Sequence, residues 1–191
     1  MDHFIWMSTP IKNACWLTAM TNFPKTYLLS QGVPLAATFP DNVETSMDDD
    51  FKKATALTDD HKNSDRVKVC SPRLVKFLQE RKVENVEYLP ITIRNHKGKV
   101  ASTEYCIVNP VGLVDALDLK ASQPRYNSMN KDQIDGVEKL VLDPGRIDPK
   151  RKVFRLAGLY FPVLIAGDLA DAIKAEGFVG PYFRPLEEFG H

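Results

Sequence analysis

The stretch from Val86 to Val108, VEYLPITIRNHKGKVASTEYCIV, decides the fold class. In VEYLPITIR, Leu89, Ile91 and Ile93 fall on one parity, and Glu87 joins them at the edge. Successive side chains of a strand point to opposite faces, so this alternation reads as a half-buried β-strand. Asn95-His96-Lys97-Gly98 then supplies turn chemistry before a second run, Thr103 to Val108, and the two runs read as an antiparallel hairpin. Pro90 has no amide to give to a ladder, which places its strand at a sheet edge or on a bulge.

Working outward, Ser71-Pro72 reads as a helix cap and a first-turn proline, with Leu74, Val75 and Leu78 at helical spacing. The expected helix runs from about Pro72 to Arg81. Near the other end, GDLADAIKAEGFVGPYF predicts a second helix. Asp168 there accepts from an early amide, Leu169, Ala172 and Ile173 form one stripe, and Gly177 ends the helix with Phe178 facing Ile173. Phe178, Gly180 and Tyr182 continue as a strand. Between these units, 122–136 reads as a polar loop, and Val137–Leu142, Lys152–Leu156 and Phe161–Ile165 read as strands. Upstream, Thr9 and Pro10 open a short expected helix through Met20. Residues 24–40 read as irregular with one short strand, and 41–66 as a polar surface connection. Hairpins with few helices define an α+β class, a single domain with a mainly antiparallel sheet and a few flanking helices. Residues 1–31 read as an N-terminal segment packed on a main domain of 32–191.

A chain of 191 residues with 43% apolar content forms its own core without staples. Lys plus Arg and Asp plus Glu both number 25, so there is no general attraction to nucleic acid or anionic lipid. No apolar run approaches the roughly 20 residues that span a bilayer. Cys15, Cys70 and Cys106 form no C-x-x-C pair, which argues against a zinc site or a disulfide framework and fits a reducing compartment. The N-terminal residues lack a basic segment followed by an apolar run, so the cytoplasm is the expected location.

Several groups invite a chemical reading. Asp115 and Asp118, three apart, share a helical face and suit a metal or a substrate proton, or else they cap and border a turn after Asn109-Pro110. Asp48, Asp49 and Asp50, with Asp59, Asp60 and His61, match no calcium loop and read as a solvated acidic face. These five aspartates are the candidate contacts for a basic partner. Cys106, His96 and Asp115 write a nominal triad, but Cys106 falls in an apolar strand where burial keeps a thiol inert. The other histidines are His3, His61 and His191. No G-x-S-x-G, H-E-x-x-H, G-x-x-x-x-G-K-[ST] or G-x-G-x-x-G occurs. Arg155 and Arg184 each interrupt an apolar strand, reaching a carboxylate across the sheet or, as the favoured expectation, pointing to solvent. No metal, cofactor or catalytic residue is expected.

The ordered segments VCSPRLVKFLQER, VEYLPITI, YCIVNPVGLVDALDLKAS, VEKLVLDPGRIDPKRKVFRL and VLIAGDLADAIKAEGFVGPYF, over about residues 32–184, resemble one bacterial family. It is an immunity-protein family of polymorphic toxin systems, the eleventh in the usual naming. The resemblance implies a non-enzymatic protein that binds and neutralises a cognate protein toxin, with Asp115 and Asp118 as parts of a scaffold. Two other functions remain open: an enzyme using Asp115, Asp118, His96 and Arg155 to reverse a toxin's modification or hydrolyse a small ligand, and a binding module for a secretion apparatus.

Overall fold

The structure, a computed structural model, describes residues 2–189. In chain order its main elements are β1 (His3–Ser8), β2 (Glu44–Ser46), β3 (Asp60–His61), β4 (Lys68–Cys70), α1 (Pro72–Glu80), β5 (Val86–Arg94), β6 (Val100–Pro110) and β7 (Leu113–Val114). Then follow α2 (Leu119–Ser122), β8 (Pro124–Tyr126), β9 (Ile134–Val137), β10 (Val153–Leu156), β11 (Leu164–Ala166), α3 (Gly167–Ala175) and β12 (Pro181–Pro185). One sheet has the order β12-β1-β11-β10-β7, another β2-β5-β6-β4-β3, and β8 pairs with β9 alone. The α+β class is as expected, with mixed pairing only at β7–β10 and β2–β5, both parallel.

The β5–β6 hairpin is the spine of the second sheet. Leu89 pairs with Ile107 and Ile91 with Tyr105, and Leu89, Ile91 and Ile93 are all buried on one face, the alternation read from the sequence. Pro90 sits on the part of β5 that β2 does not reach, beside a register shift between Ile91 and Ile93. That buried face is covered by Cys15, Leu17, Met20, Phe23, Leu29 and Leu35 from the N-terminal segment. Glu87 ties the covering down, because its carboxylate accepts from the amides of Leu35 and Ala36 and from Asn109 Nδ2.

Both long helices form as their local signals dictate. Ser71 accepts from the Leu74 amide at the start of α1, and Leu74, Val75, Phe77 and Leu78 are buried. In α3, Asp168 accepts from the Leu169 amide, and Gly177 follows the helix with φ +66°. Ile173 enters the core, with Phe178 packed against the same cluster. That cluster is the junction of the molecule: Trp6, Val163 and Phe183 come from the first sheet or its edge, Cys70 and Val108 from the second, and both helices fill the space between. The other face of the first sheet, with Ile5, Val114, Phe154 and Leu164, is closed by Leu117, Ile134 and Leu140.

Five expectations are corrected. No helix spans Pro10 to Met20. Asn13 has φ +66°, and the amides of Cys15, Leu17 and Thr18 donate to Ala56, Lys62 and Ser46 instead of to carbonyls four residues back. Residues 24–40 hold no strand, and their one regular element is the 3₁₀ turn Thr26–Ser30. The connection 41–66 contributes two strands, β2 and β3, with β3 buried. The loop 122–136 contains β8 and most of β9, and the strand expected over Val137–Leu142 ends at Val137. Residues 3–8 form an interior strand, with β12 on one side and β11 on the other.

Candidate functional site

The acidic residues do not make one surface. Asp60 is 1% exposed and accepts from Trp6 Nε1 at 2.9 Å and Ser8 Oγ at 2.8 Å, so its carboxylate joins β1 of the first sheet to β3 of the second. The Lys68 ammonium lies 3.8 Å away and donates to Ser8 Oγ at 3.0 Å. Burial raises the Asp60 pKa and lowers that of Lys68, and their mutual attraction opposes both shifts. Asp59 is the second stitch. Its carboxylate accepts from Ser71 Oγ, from Nε and Nη2 of Arg73 and from the Val179 amide. Partial burial pushes its pKa up, but Arg73, the Val179 N–H and Ser71 together outweigh that and hold it below the usual carboxylate range.

His61 is buried beside them. Its Nε2 accepts from the Thr58 amide at 2.9 Å, so Nδ1 carries the proton and donates to the Cys15 carbonyl at 3.2 Å. Burial lowers the His61 pKa to about 4 and keeps the ring neutral. Gly180 permits the joint to close. At φ +110°, a Cβ placed there would lie 2.2 Å from the Asp60 carbonyl oxygen, and the amides of Asp59 and Asp60 both donate to Val179. The pattern of acids and one histidine is thus structural at 59–61, contrary to the solvated face expected there. Long-range partners, invisible in a local reading, take these groups into the interior.

The remaining candidates are dispersed. Asp49 and Asp50 are exposed and Asp48 is half-buried, capping a 3₁₀ turn through the Asp50 amide. Lys52 and Lys53 follow them and dilute the negative charge. Asp118 caps α2 by accepting from the Ala121 amide at 2.9 Å, while exposed Asp115 pairs with Arg146 at 3.1 Å, so this pair shapes a turn. His96 contacts Asp49 and the Ala54 carbonyl. Cys106 is half-buried opposite Cys70, with its thiol pushed up by burial. His191 lies outside the described residues. Asp115, Asp118, His96 and Arg155 each have separate partners and share no hydrogen bond or ion pair with one another.

Arg155 overturns an expectation. It does not point to solvent: it is 2% exposed, because β10 lies between β11 and β7 and all four of its residues are buried. Its Nη1 donates to the carbonyls of Tyr160 at 2.8 Å and Phe161 at 3.2 Å, and its Nε has no partner. Burial alone lowers the guanidinium pKa to about 10. Arg184 is half-exposed and bonds Glu188 through that residue's backbone carbonyl and carboxylate. The run VFRL carries no sign of Arg155's burial except its flanking strands, whose count fixes β10 as interior.

Among the described residues, no cluster of three or more His, Cys, Asp or Glu side chains is arranged to hold a metal, and no helix is long and apolar enough to cross a membrane. Fold and polar interior together define an α+β domain in which the buried Asp60 and Lys68 side chains tie the edge of one sheet to an interior strand of the other. Among protein families, the chain matches the model of the immunity protein family (Imm11) over residues 11–188, and it belongs to that family. The match takes in residues 11–31, upstream of the segments from 32 that resemble the family. No curated protein matches the chain significantly.

Proposed function

We propose that this chain is an immunity protein of a bacterial polymorphic toxin system, which binds a cognate protein toxin in the cytoplasm and neutralises it by covering its surface. Membership of the immunity family across nearly the whole chain carries this reading. Family membership implies a toxin partner, and inhibition by occupation needs a rigid surface burying about 1,600 Å² in total. Two sheets locked by buried polar joints supply such rigidity. Placement in the cytoplasm accords with the free thiols of Cys15, Cys70 and Cys106. The exposed part of the acidic stretch, Asp49 and Asp50, lies beside exposed Phe51, whose ring centroid is 4.9 Å from that of Trp16, and offers a charged and aromatic contact. The test is co-expression with the toxin encoded beside this chain. A stable complex of fixed stoichiometry and restored growth are expected; killing that is equal with and without the chain would overturn the proposal.

A further inference from the structure

Two adjacent recesses open where the N-terminal segment, the 62–68 strand and turn, and the 160–163 turn meet. The first, of about 380 Å³, is lined by Tyr27, Asp65, Gln133, Arg155 and Tyr160, and the second, of about 340 Å³, by Trp6, Lys62, Lys68 and Arg184. Arg66 and Phe161 line both. In a chain of zero formal charge, five cations converge here: Lys62, Arg66, Lys68, Arg155 and Arg184. Three carboxylates answer them. Asp60 sits on Lys68, Glu188 on Arg184, and Asp65 accepts from the Met20 amide. Neither Arg66 nor Arg155 forms an ion pair with any described residue. Arg155 is the anomaly, a guanidinium almost wholly out of water with no counter-ion and with an unspent Nε. Buried charges ordinarily have a partner, because desolvation without one is costly. Since Nη1 is taken by two carbonyls, the Nε edge is free in bonding terms, and that edge of a guanidinium engages a carboxylate with two parallel hydrogen bonds.

We propose that these two recesses are the surface by which the chain grips its toxin, and that the first receives an acidic side chain of that partner at Arg155. The inference rests on the immunity reading and goes beyond it by stating the chemistry of the toxin's epitope: an aspartate or glutamate next to an apolar residue. The carboxylate supplies the charge that Arg155 lacks, the apolar neighbour covers the exposed ring of Phe161, and Arg66 and Lys62 draw the acidic segment in. Lys62 also lies 4.0 Å over the ring of Trp16, so the basic rim runs on to the aromatic contact at Phe51.

Affinity for the toxin encoded beside the chain tests this, with the intact protein in three forms: wild type, Arg155→Met, and the rim pair Lys62→Glu with Arg66→Glu. Circular dichroism and thermal midpoints establish that each is folded. Arg155→Met should weaken binding by about 100-fold, mostly through faster dissociation, and the rim pair by about 10-fold or more, mostly through slower association. Should Arg155→Met fail to fold, the exposed rim pair decides. A wild-type chain that never binds the toxin overturns the immunity reading and this one with it. A wild type that binds, alongside a rim pair and a folded Arg155→Met that bind equally well, overturns only the recess. Thermal stabilisation of wild type by millimolar benzoate, absent in Arg155→Met and combined with unchanged toxin binding, also overturns it, by making the recess a small-molecule site.

Discussion

Asp48-Asp49-Asp50 and Asp59-Asp60 are two acidic runs in the same polar stretch, and they meet opposite fates. The first stays at the surface, with a lysine pair just behind it, and caps one turn of its own backbone. The second is drawn between two sheets and saturated by Trp6, Ser8, Lys68, Ser71, Arg73 and the Val179 amide. Residue type does not separate them. What does is whether donors from distant strands stand ready to replace water, because a carboxylate is buried only where hydrogen bonds and opposite charge offset its desolvation.

The sharpest way to break the comparison is to remove one acid from each run. Asp60→Ala should cost about 3–5 kcal/mol in chemical denaturation, since it strands a buried ammonium and an indole N–H, whereas Asp49→Ala should stay within about 0.5 kcal/mol. Equal losses would show that the joint is not what holds the sheets. Next in size is Gly180→Ala, which drives a methyl group against the Asp60 backbone at positive φ and should cost about 2–4 kcal/mol.

Acid titration sharpens the same contrast. Unfolded His61 takes up a proton near its ordinary 6.5, while the folded ring resists until about 4. Protons therefore favour the unfolded chain in that window: stability is fully present above 6.5 and falls with pH by at most about 3.5 kcal/mol. His61→Gln should flatten the wild-type curve between those two pH values, and the difference between the two curves cancels the contributions of Asp59 and Asp60. An unchanged slope would mean that His61 is already protonated in the fold. Smaller again is Asp118→Ala, which removes the cap of α2 and should cost about 1 kcal/mol. Smallest of all for stability is reversal of the exposed Asp49 and Asp50 to lysine, which should leave stability within about 0.5 kcal/mol. Its effect, if these residues touch the toxin, is an association rate altered more at low salt than at high salt.

What was legible in the sequence was what is decided locally. Ser71-Pro72 and Gly177 bound α1 and α3 because caps act within one turn of the chain, and the β5–β6 hairpin follows from alternation and a short turn. Asp118 was correctly read as a capping residue for the same reason. Illegible were the elements fixed from afar. HFIWMS becomes β1 because β11 and β12, made from the other end of the chain, bond to both of its edges, and Thr9-Pro10 just after it invited a helix instead. Asp60 owes its burial to Trp6 and Ser8, more than 50 positions away, and Arg155 to strands on either side of it. The candidate site fared worse than the fold, since a cation without a counter-ion becomes visible only once every neighbour is placed.

The position of β1 has a consequence for biosynthesis. Its hydrogen-bonding partners, β11 and β12, lie far downstream in the chain, so the first strand leaves the ribosome with no edge to join. Until then Trp6 and Ile5 are exposed on a nascent chain, the circumstance in which chaperones and proteases compete with folding. The hairpin and α1, whose contacts are local, can assemble ahead of it, and closure of the first sheet is the late, slow event. The first sheet therefore cannot close around β1 until both of those distant strands have been made.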